Sequence, residues 1–213
     1  MSRYAIVPAY NEESSIESVV SNLSKYVSKV IVVNDCSTDN TEIKAIQSGA
    51  HVLSNLNNLG YEYTIARGMS LAVSEGASSI LTFDADGQHP YNVINLMFEL
   101  IESGNSDIVV GARQSLPRIS EQIFSCYTRI RFGVPDILCG MKCYSVVAIN
   151  QTGFTSTWDS IGSFITLKAL ALQLNVASVP IHSLDRSIGI SRFGTSFRSE
   201  LKVFIALLRS FLI

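Results

Sequence analysis

The stretch Ser79-Ile80-Leu81-Thr82-Phe83-Asp84-Ala85-Asp86-Gly87-Gln88-His89-Pro90 runs an apolar segment straight into two carboxylates. A short apolar run bounded by turn residues reads as a buried strand. Residues 79–83 are therefore expected as a strand, with Asp84 at its carboxyl end. Asp84 and Asp86 alternate in an extended segment, where crowded carboxylates repel each other unless a cation lies between them. Hard ions such as Mg²⁺ or Mn²⁺ take carboxylate oxygens together with substrate phosphate and water, and Gln88 adds a carbonyl oxygen. Gly87 permits a turn, and Pro90 suits the start of a helix. The plainer alternative is a turn whose acids cap the helix expected over 92–102.

Outward from this segment, short apolar runs alternate with longer mixed ones. Strands are expected over 3–7, 29–33, 51–53, 107–110, 139–144 and 176–181. Helices are expected over 13–27, 41–48, 62–75, 92–102, 116–131, 160–174 and 197–213. Ile16, Val19, Val20 and Leu23 mark one face of the first helix. Strands alternating with helices indicate βαβ units and an α/β fold with a mostly parallel central sheet flanked by helices. Open α/β sheets bind ligands beyond the carboxyl ends of their strands. Three strand-end loops are unusually polar: Pro8-Ala9-Tyr10-Asn11-Glu12, Asn34-Asp35-Cys36-Ser37-Thr38-Asp39 and the Asp84–Pro90 segment. One site assembled from all three is the expectation. In the second loop, Asp35 is placed to meet a base or ribose, while Ser37, Asp39 or Thr41 also suits capping of the next helix.

With 213 residues, 47% hydrophobic and 16% charged, the chain is long enough for one α/β domain with a substantial core. A net charge of −2 argues against nucleic-acid binding. Cys36, Cys126, Cys139 and Cys143 include no Cys-x-x-Cys pair, and His51, His89 and His182 are scattered, which argues against structural zinc. Cys139 and Cys143 read as buried free thiols. The N-terminus has no signal-peptide core, and no apolar run reaches the ~18 residues of a spanning helix. The expected location is the cytoplasm or the cytoplasmic face of a membrane.

Several further segments stand in a fixed order with these loops: Asn58-Leu59-Gly60 with Arg67-Gly68, Gly111-Ala112-Arg113, Asp136 with Cys139-Gly140-Met141-Lys142, and Arg186-Ser187-Ile188-Gly189-Ile190-Ser191-Arg192. Together they resemble the inverting family 2 glycosyltransferases of the GT-A fold, and within them the dolichol-phosphate mannose synthase branch with its polyprenyl-phosphate transferases. The resemblance implies a single GT-A domain over 1–213. A Rossmann-like nucleotide-sugar half would occupy about 1–112, an acceptor half 113–196 and an amphipathic helix 197–213. It assigns Pro8, Tyr10, Glu12, Asp35, Arg67 and Asp84 to the nucleotide sugar. Asp84, Asp86 and Gln88 go to Mg²⁺ or Mn²⁺, and Arg113, Lys142, Arg186 and Arg192 to phosphate or acceptor. Asp86, Arg113 and Asp136 are its catalytic candidates. Asn34 and Cys36 depart from the family's usual Asp and Gly, and Lys142 and Arg192 exchange one cation for another.

Sugar transfer builds charge on a departing diphosphate, which a divalent ion and fixed cations stabilise. A hydroxyl acceptor needs a base, for which Asp86 or Asp136 is the candidate. A lipid phosphate is already ionised and needs cations to hold it. The arginine-rich 186–192 loop, without a second obvious acid, favours the phosphate. Leu201, Phe204, Ile205, Leu208 and Leu212 recur at helical spacing beside Arg198, Lys202 and Arg209. That pattern suits peripheral contact with an anionic membrane, or packing on the domain itself or on a second subunit of a homo-oligomer. A nucleotide-binding or scaffold protein that keeps the fold without turnover is the rival reading from another class.

Overall fold

The computed structural model describes residues 1–153 and 161–182. The expected lid arginines Arg186 and Arg192 and the helix over 197–213 lie outside them. In chain order the elements are β1 (Arg3–Ala9), α1 (Ile16–Leu23), β2 (Lys29–Asn34), α2 (Thr41–Gln47), β3 (His51–Ser54), α3 (Tyr61–Ser74) and β4 (Ser79–Thr82). They continue with α4 (Ile94–Glu102), β5 (Ile108–Arg113), α5 (Ile119–Phe132), β6 (Lys142–Ser145), α6 (Val146–Thr152), α7 (Ile161–Ala171) and β7 (Val176–Ile181). The seven strands form one sheet in the order β3-β2-β1-β4-β6-β5-β7. All neighbours are parallel except β6, which runs antiparallel to both β4 and β5.

The expected α/β architecture and mostly parallel sheet are present. α6 was not expected from sequence. It follows β6 without a break, and its start is fixed by Ser145 Oγ, which accepts the Ala148 N–H at 3.0 Å. The central strands are apolar on both faces: Ile6, Val7, Ile31, Val32, Val33, Ile80, Leu81, Val109 and Val110 are buried, as a helix-covered parallel sheet requires. Pro8 sits inside β1 without breaking the sheet. In a parallel strand, residues of one parity turn their N–H groups to the same neighbour. Ile6 faces β4, accepting the Phe83 N–H at 3.0 Å, so Pro8 faces the side where that ladder has already ended.

Gly68 and Gly140 carry the closest contacts. A Cβ on Gly68 would stand 2.4 Å from Ile6 Cγ2 and 3.0 Å from Val33 Cγ2, so this glycine lets α3 lie flat on β1 and β2. Gly140 is taken up with the site below. α3 also reaches α7, because a Glu62 carboxylate oxygen accepts the Ile161 N–H at the start of that helix. Among the described residues, no helix is long and apolar enough to cross a membrane. Cys139 and Cys143 are buried free thiols, as expected.

Replacing Gly68 by Ala should destabilise the fold by about 1–3 kcal/mol, because the added methyl meets strand side chains with no room to yield. The loss is to be read as a lower urea midpoint at unchanged slope.

Candidate active site

Strand order reverses about β1: β2 and β3 lie to one side, β4 to the other. The loops after β1 and β4 therefore open a crevice at the carboxyl edge of the sheet. The loops after β1 and β2 are bonded into one unit. Asn11 N–H donates to Ser37 Oγ at 2.9 Å, Glu12 N–H to Thr41 Oγ1 at 2.7 Å, and Thr38 N–H to Asn11 Oδ1 at 2.8 Å. Lys44 Nζ closes the unit on the Glu13 carbonyl at 2.8 Å. Asn11 and Cys36 hold left-handed backbones, with φ of 51° and 62°. Asparagine tolerates that region; cysteine does so with strain. The family's glycine at position 36 is thereby explained, and Cys36 is the strained substitute.

The other departure is matched by a partner. Asn34 Nδ2 donates to Glu42 Oε2 at 3.0 Å, while its Oδ1 accepts the Ser37 N–H at 3.1 Å. An Asp at 34 would set two carboxylates against each other. Asp35 is buried and its carboxylate is fully engaged. Oδ1 accepts from Asn55 Nδ2 at 2.7 Å and from Leu59 N–H at 2.8 Å; Oδ2 accepts from Gly60 N–H at 2.9 Å. Arg67, partly buried, bonds to Ser54 O at 3.2 Å and to Asn55 Oδ1. Arg67, Asn55 and Asp35 thus form a chain that fixes the loop entering α3. The structure thus brings together Asp35 and Arg67, both expected at the nucleotide sugar. Tyr10 and Glu12 are partly exposed in the loop after β1.

Asp84 is held at both of its carboxylate oxygens. Tyr61 Oη donates to Oδ1 at 2.9 Å, and His89 Nε2 lies 2.9 Å from Oδ2. Behind it, a Cβ on Gly140 would stand 2.5 Å from Oδ2 and 2.8 Å from Oδ1, so only glycine lets the carboxylate occupy this position. His89 is buried, and its Nδ1 has no partner among the described residues. The proton is accordingly best placed on Nε2, facing Asp84. Burial would push the Asp84 carboxyl up; the His89 and Tyr61 contacts and the Lys142 charge outweigh it and hold its pKa below the ordinary value. Phe83 stacks on Tyr91 with centroids 5.1 Å apart and meets the His89 ring edge-on at 5.3 Å, packing the turn from beneath. Asp86 and Gln88 are partly exposed on the same turn, where Asp86 Oδ1 accepts the Gln88 N–H at 3.0 Å. Gly87 has φ of 75°, the turn that brings Gln88 round.

The donor set fits a hard divalent ion. It is all oxygen, and a carboxylate oxygen that accepts one hydrogen bond keeps a further lone pair. Among the described residues, no group of three His, Cys, Asp or Glu forms a closed cage. A Mg²⁺-type ion needs only one or two carboxylates when substrate phosphates and waters complete its shell.

Three cations and acids stand differently from the sequence expectation. Arg113 and Asp136 form a buried fork: Arg113 Nε donates to Asp136 Oδ2 at 2.8 Å and Nη2 to Oδ1 at 2.9 Å, and the Arg113 N–H adds a third bond at 2.9 Å. Both Asp136 oxygens are thus bonded to Arg113, and the two expected catalytic candidates form one pair. Glu121 lies 3.8 Å from Arg113 and 2.7 Å from Arg118. Lys142 is buried, with Nζ donating to the Cys139 carbonyl, and burial lowers its pKa. A cation in that position faces the sheet interior. It lends charge to Asp84 and does not stand open to a phosphate.

The sequence profile of glycosyl transferase family 2 matches residues 4–159. The chain belongs to this family. This glycosyltransferase is 27% identical, over 96% of its length and 94% of the relative's, to a UDP-N-acetylglucosamine–dolichyl-phosphate N-acetylglucosaminyltransferase of Methanococcus voltae. It is 23% identical, over 92% of its length and 83% of the relative's, to a polyprenol monophosphomannose synthase of Mycolicibacterium smegmatis. A crystal structure of glucosyl-3-phosphoglycerate synthase from Mycobacterium tuberculosis, in complex with Mn²⁺, UDP and glucosyl-3-phosphoglycerate, superposes with a TM-score of 0.77 at 20% identity, covering 98% of this chain and 79% of that one. The glycosyltransferase has the GT-A fold.

Tyr61 and His89, which orient Asp84, were not singled out from sequence as site residues. His89 was inside the quoted motif. Tyr61 carried no local signal. Tyr61→Phe should weaken Mn²⁺ binding by roughly 10-fold or more, measured by electron paramagnetic resonance with a nucleoside diphosphate present, because an aiming hydrogen bond is lost while the ring still packs. Cys36→Gly should relieve the left-handed strain and stabilise the protein by about 1 kcal/mol in urea unfolding.

Proposed function

We propose that this glycosyltransferase moves a hexose, with inversion, from a GDP- or UDP-sugar to a polyprenyl phosphate, with Mg²⁺ or Mn²⁺ held by Asp84, Asp86 and Gln88. The observation that carries the reading is the aimed Asp84 carboxylate at the β1–β4 switch point, beside the partly exposed Asp86. The two relatives named for dolichyl phosphate and polyprenol support the acceptor class.

Asp84, Asp86 and Gln88 would hold the ion, which would supply positive charge against that developing on the donor diphosphate. The chain's own part is positional. Tyr61, His89 and Gly140 keep Asp84 from rotating, so no reorganisation is needed as charge develops. The bonded loops after β1 and β2 form the floor on which the nucleotide lies, with Pro8, Tyr10 and Glu12 nearest. Asp35 and Arg67 keep that floor rigid. An oxygen of the acceptor phosphate attacks the anomeric carbon as the bond from that carbon to the diphosphate breaks, and the electron pair leaves with the diphosphate. An ionised phosphate needs no base. In this reading Asp136 holds Arg113 in place. Arg186 and Arg192 are assigned to the phosphates on the strength of the sequence, within an acceptor half spanning about 113–196. A lipid acceptor places the enzyme peripherally at a membrane surface.

A screen of nucleotide sugars, read as metal-dependent release of nucleoside diphosphate, should show turnover that rises when a short polyprenyl phosphate is added. The product should hydrolyse in mild acid, as glycosyl phosphates do; an acid-stable product would establish a hydroxyl acceptor instead. Asp86→Ala should lower turnover by about 100-fold or more, and full activity in that variant would remove the metal assignment.

A further inference from the structure

Gly140 sets two demands against each other. Only glycine lets the segment 136–141 press on the Asp84 carboxylate, since a Cβ there would stand 2.5 Å from Oδ2. Yet glycine is the residue whose backbone turns most freely. The wall behind Asp84 is therefore built on a pliable link, unless the peptides around it are pinned. They are. Thr82 Oγ1 donates to the Gly140 carbonyl at 2.7 Å, and Lys142 Nζ donates to the Cys139 carbonyl. These carbonyls belong to the peptide planes on either side of Gly140, so both flanking peptides are fixed by side chains. Farther out, Ser163 Oγ donates to the Ile137 carbonyl at 3.0 Å, and the Gly111 N–H to the Met141 carbonyl at 2.9 Å.

Lys142 is a costly way to make such a bond. It is 3% exposed, and among the described residues its ammonium has no ion-pair partner. A buried charge without a close counter-ion costs more than one hydrogen bond returns. Burial pushes its pKa down, against the opposing influence of Cys139, Asp136, Glu62 and Asp84. The first turn of α7 is shaped around the ammonium: a Cβ on Gly162 would stand 2.9 Å from Nζ and 3.3 Å from Tyr144 Oη. An apolar side chain of similar length would serve packing alone at least as well. We infer that Lys142 is a positioning residue of the metal site, its ammonium tethering the Cys139–Gly140 peptide so that Gly140 keeps the Asp84 carboxylate turned toward the ion. Thr82 does the same for the peptide that follows. Each acts on Asp84 through Gly140. The inference rests on the reading of Asp84 as a metal ligand, and it replaces the phosphate role that the sequence suggested for Lys142.

The test uses two variants of the full chain, Lys142→Met and Thr82→Val, each of which removes the donor and keeps a side chain of similar size. Mn²⁺ binding with a nucleoside diphosphate present, followed by electron paramagnetic resonance, should weaken by roughly 10-fold or more in each. Crystals of the metal-free variants should show the segment 139–141 drawn away from Asp84 and the carboxylate rotated. Lys142→Met should unfold at no lower temperature than the wild type, because a buried charge has been removed. Ser145→Ala, which deletes the cap of α6 at the far end of β6, should lower the thermal midpoint and leave Mn²⁺ affinity unchanged. Wild-type Mn²⁺ affinity in Lys142→Met would overturn the proposal. So would weakened binding with Gly140 and Asp84 unmoved, or an equal loss of affinity in Ser145→Ala. If Lys142→Met does not fold, Thr82→Val carries both measurements, and unchanged affinity there overturns the proposal as well. Wild-type protein that binds no Mn²⁺ would instead sink the metal reading, while the metal-free crystals still decide whether Lys142 and Thr82 hold Gly140 to Asp84.

Discussion

Everything at the carboxyl edge of the sheet depends on the Asp84 carboxylate being held still. It receives a phenol hydroxyl from α3, an imidazole from its own turn, and a glycine backbone from the segment leading into β6. The first and third come from parts of the chain that meet Asp84 only once the sheet has formed. Leaving a charged carboxylate half-buried without them would carry a desolvation penalty. With them, the same burial fixes the direction of the group. The low-lying pKa of Asp84 follows, because the neighbours favour its charged form more than burial opposes it.

Antiparallel β6 is what brings those parts together. A sheet of purely parallel strands would carry its connections over one face or the other. β6 instead inserts between β4 and β5, so the residues before it, Cys139 to Met141, arrive at the carboxyl edge rather than the amino edge. That is how Gly140 comes to back Asp84 and why Lys142, the first residue of β6, is driven into the interior. The same approach delivers Asp136 to Arg113 at the end of β5. The charges in this region are largely matched in pairs, as burial requires.

The order of elements was legible because it is local. Apolar runs in 3–9, 29–34 and 79–82 and the helical periodicity of Ile16, Val19, Val20 and Leu23 need nothing beyond neighbouring residues. The reversed direction of β6 has no such signature; strand direction is set by what the rest of the chain allows. α6 went unseen because Val146–Thr152 is a short helix joined to β6 without a break, and only the Ser145 cap marked its start. In the site, the paired Asp84 and Asp86 were readable from their alternation after a buried strand. Partners were not. The sequence offered Arg113, Asp136 and Lys142 as separate tools, while the fold joins the first two and buries the third. Tyr61 could not be found by spacing, since its bond to Asp84 spans the whole of α3 and β4. Cys36 was visible as a departure, and its left-handed backbone explains why the family's glycine belongs there.

The first turn of α3 works in two directions. Tyr61 reaches Asp84 on the donor side, and its neighbour Glu62 holds the leading amide of α7 on the other. The acidic turn and α7 are therefore riveted to α3 by adjacent residues. Anyone replacing α7 in this scaffold would have to carry position 62 along with it, or lose the alignment that makes a swap worthwhile.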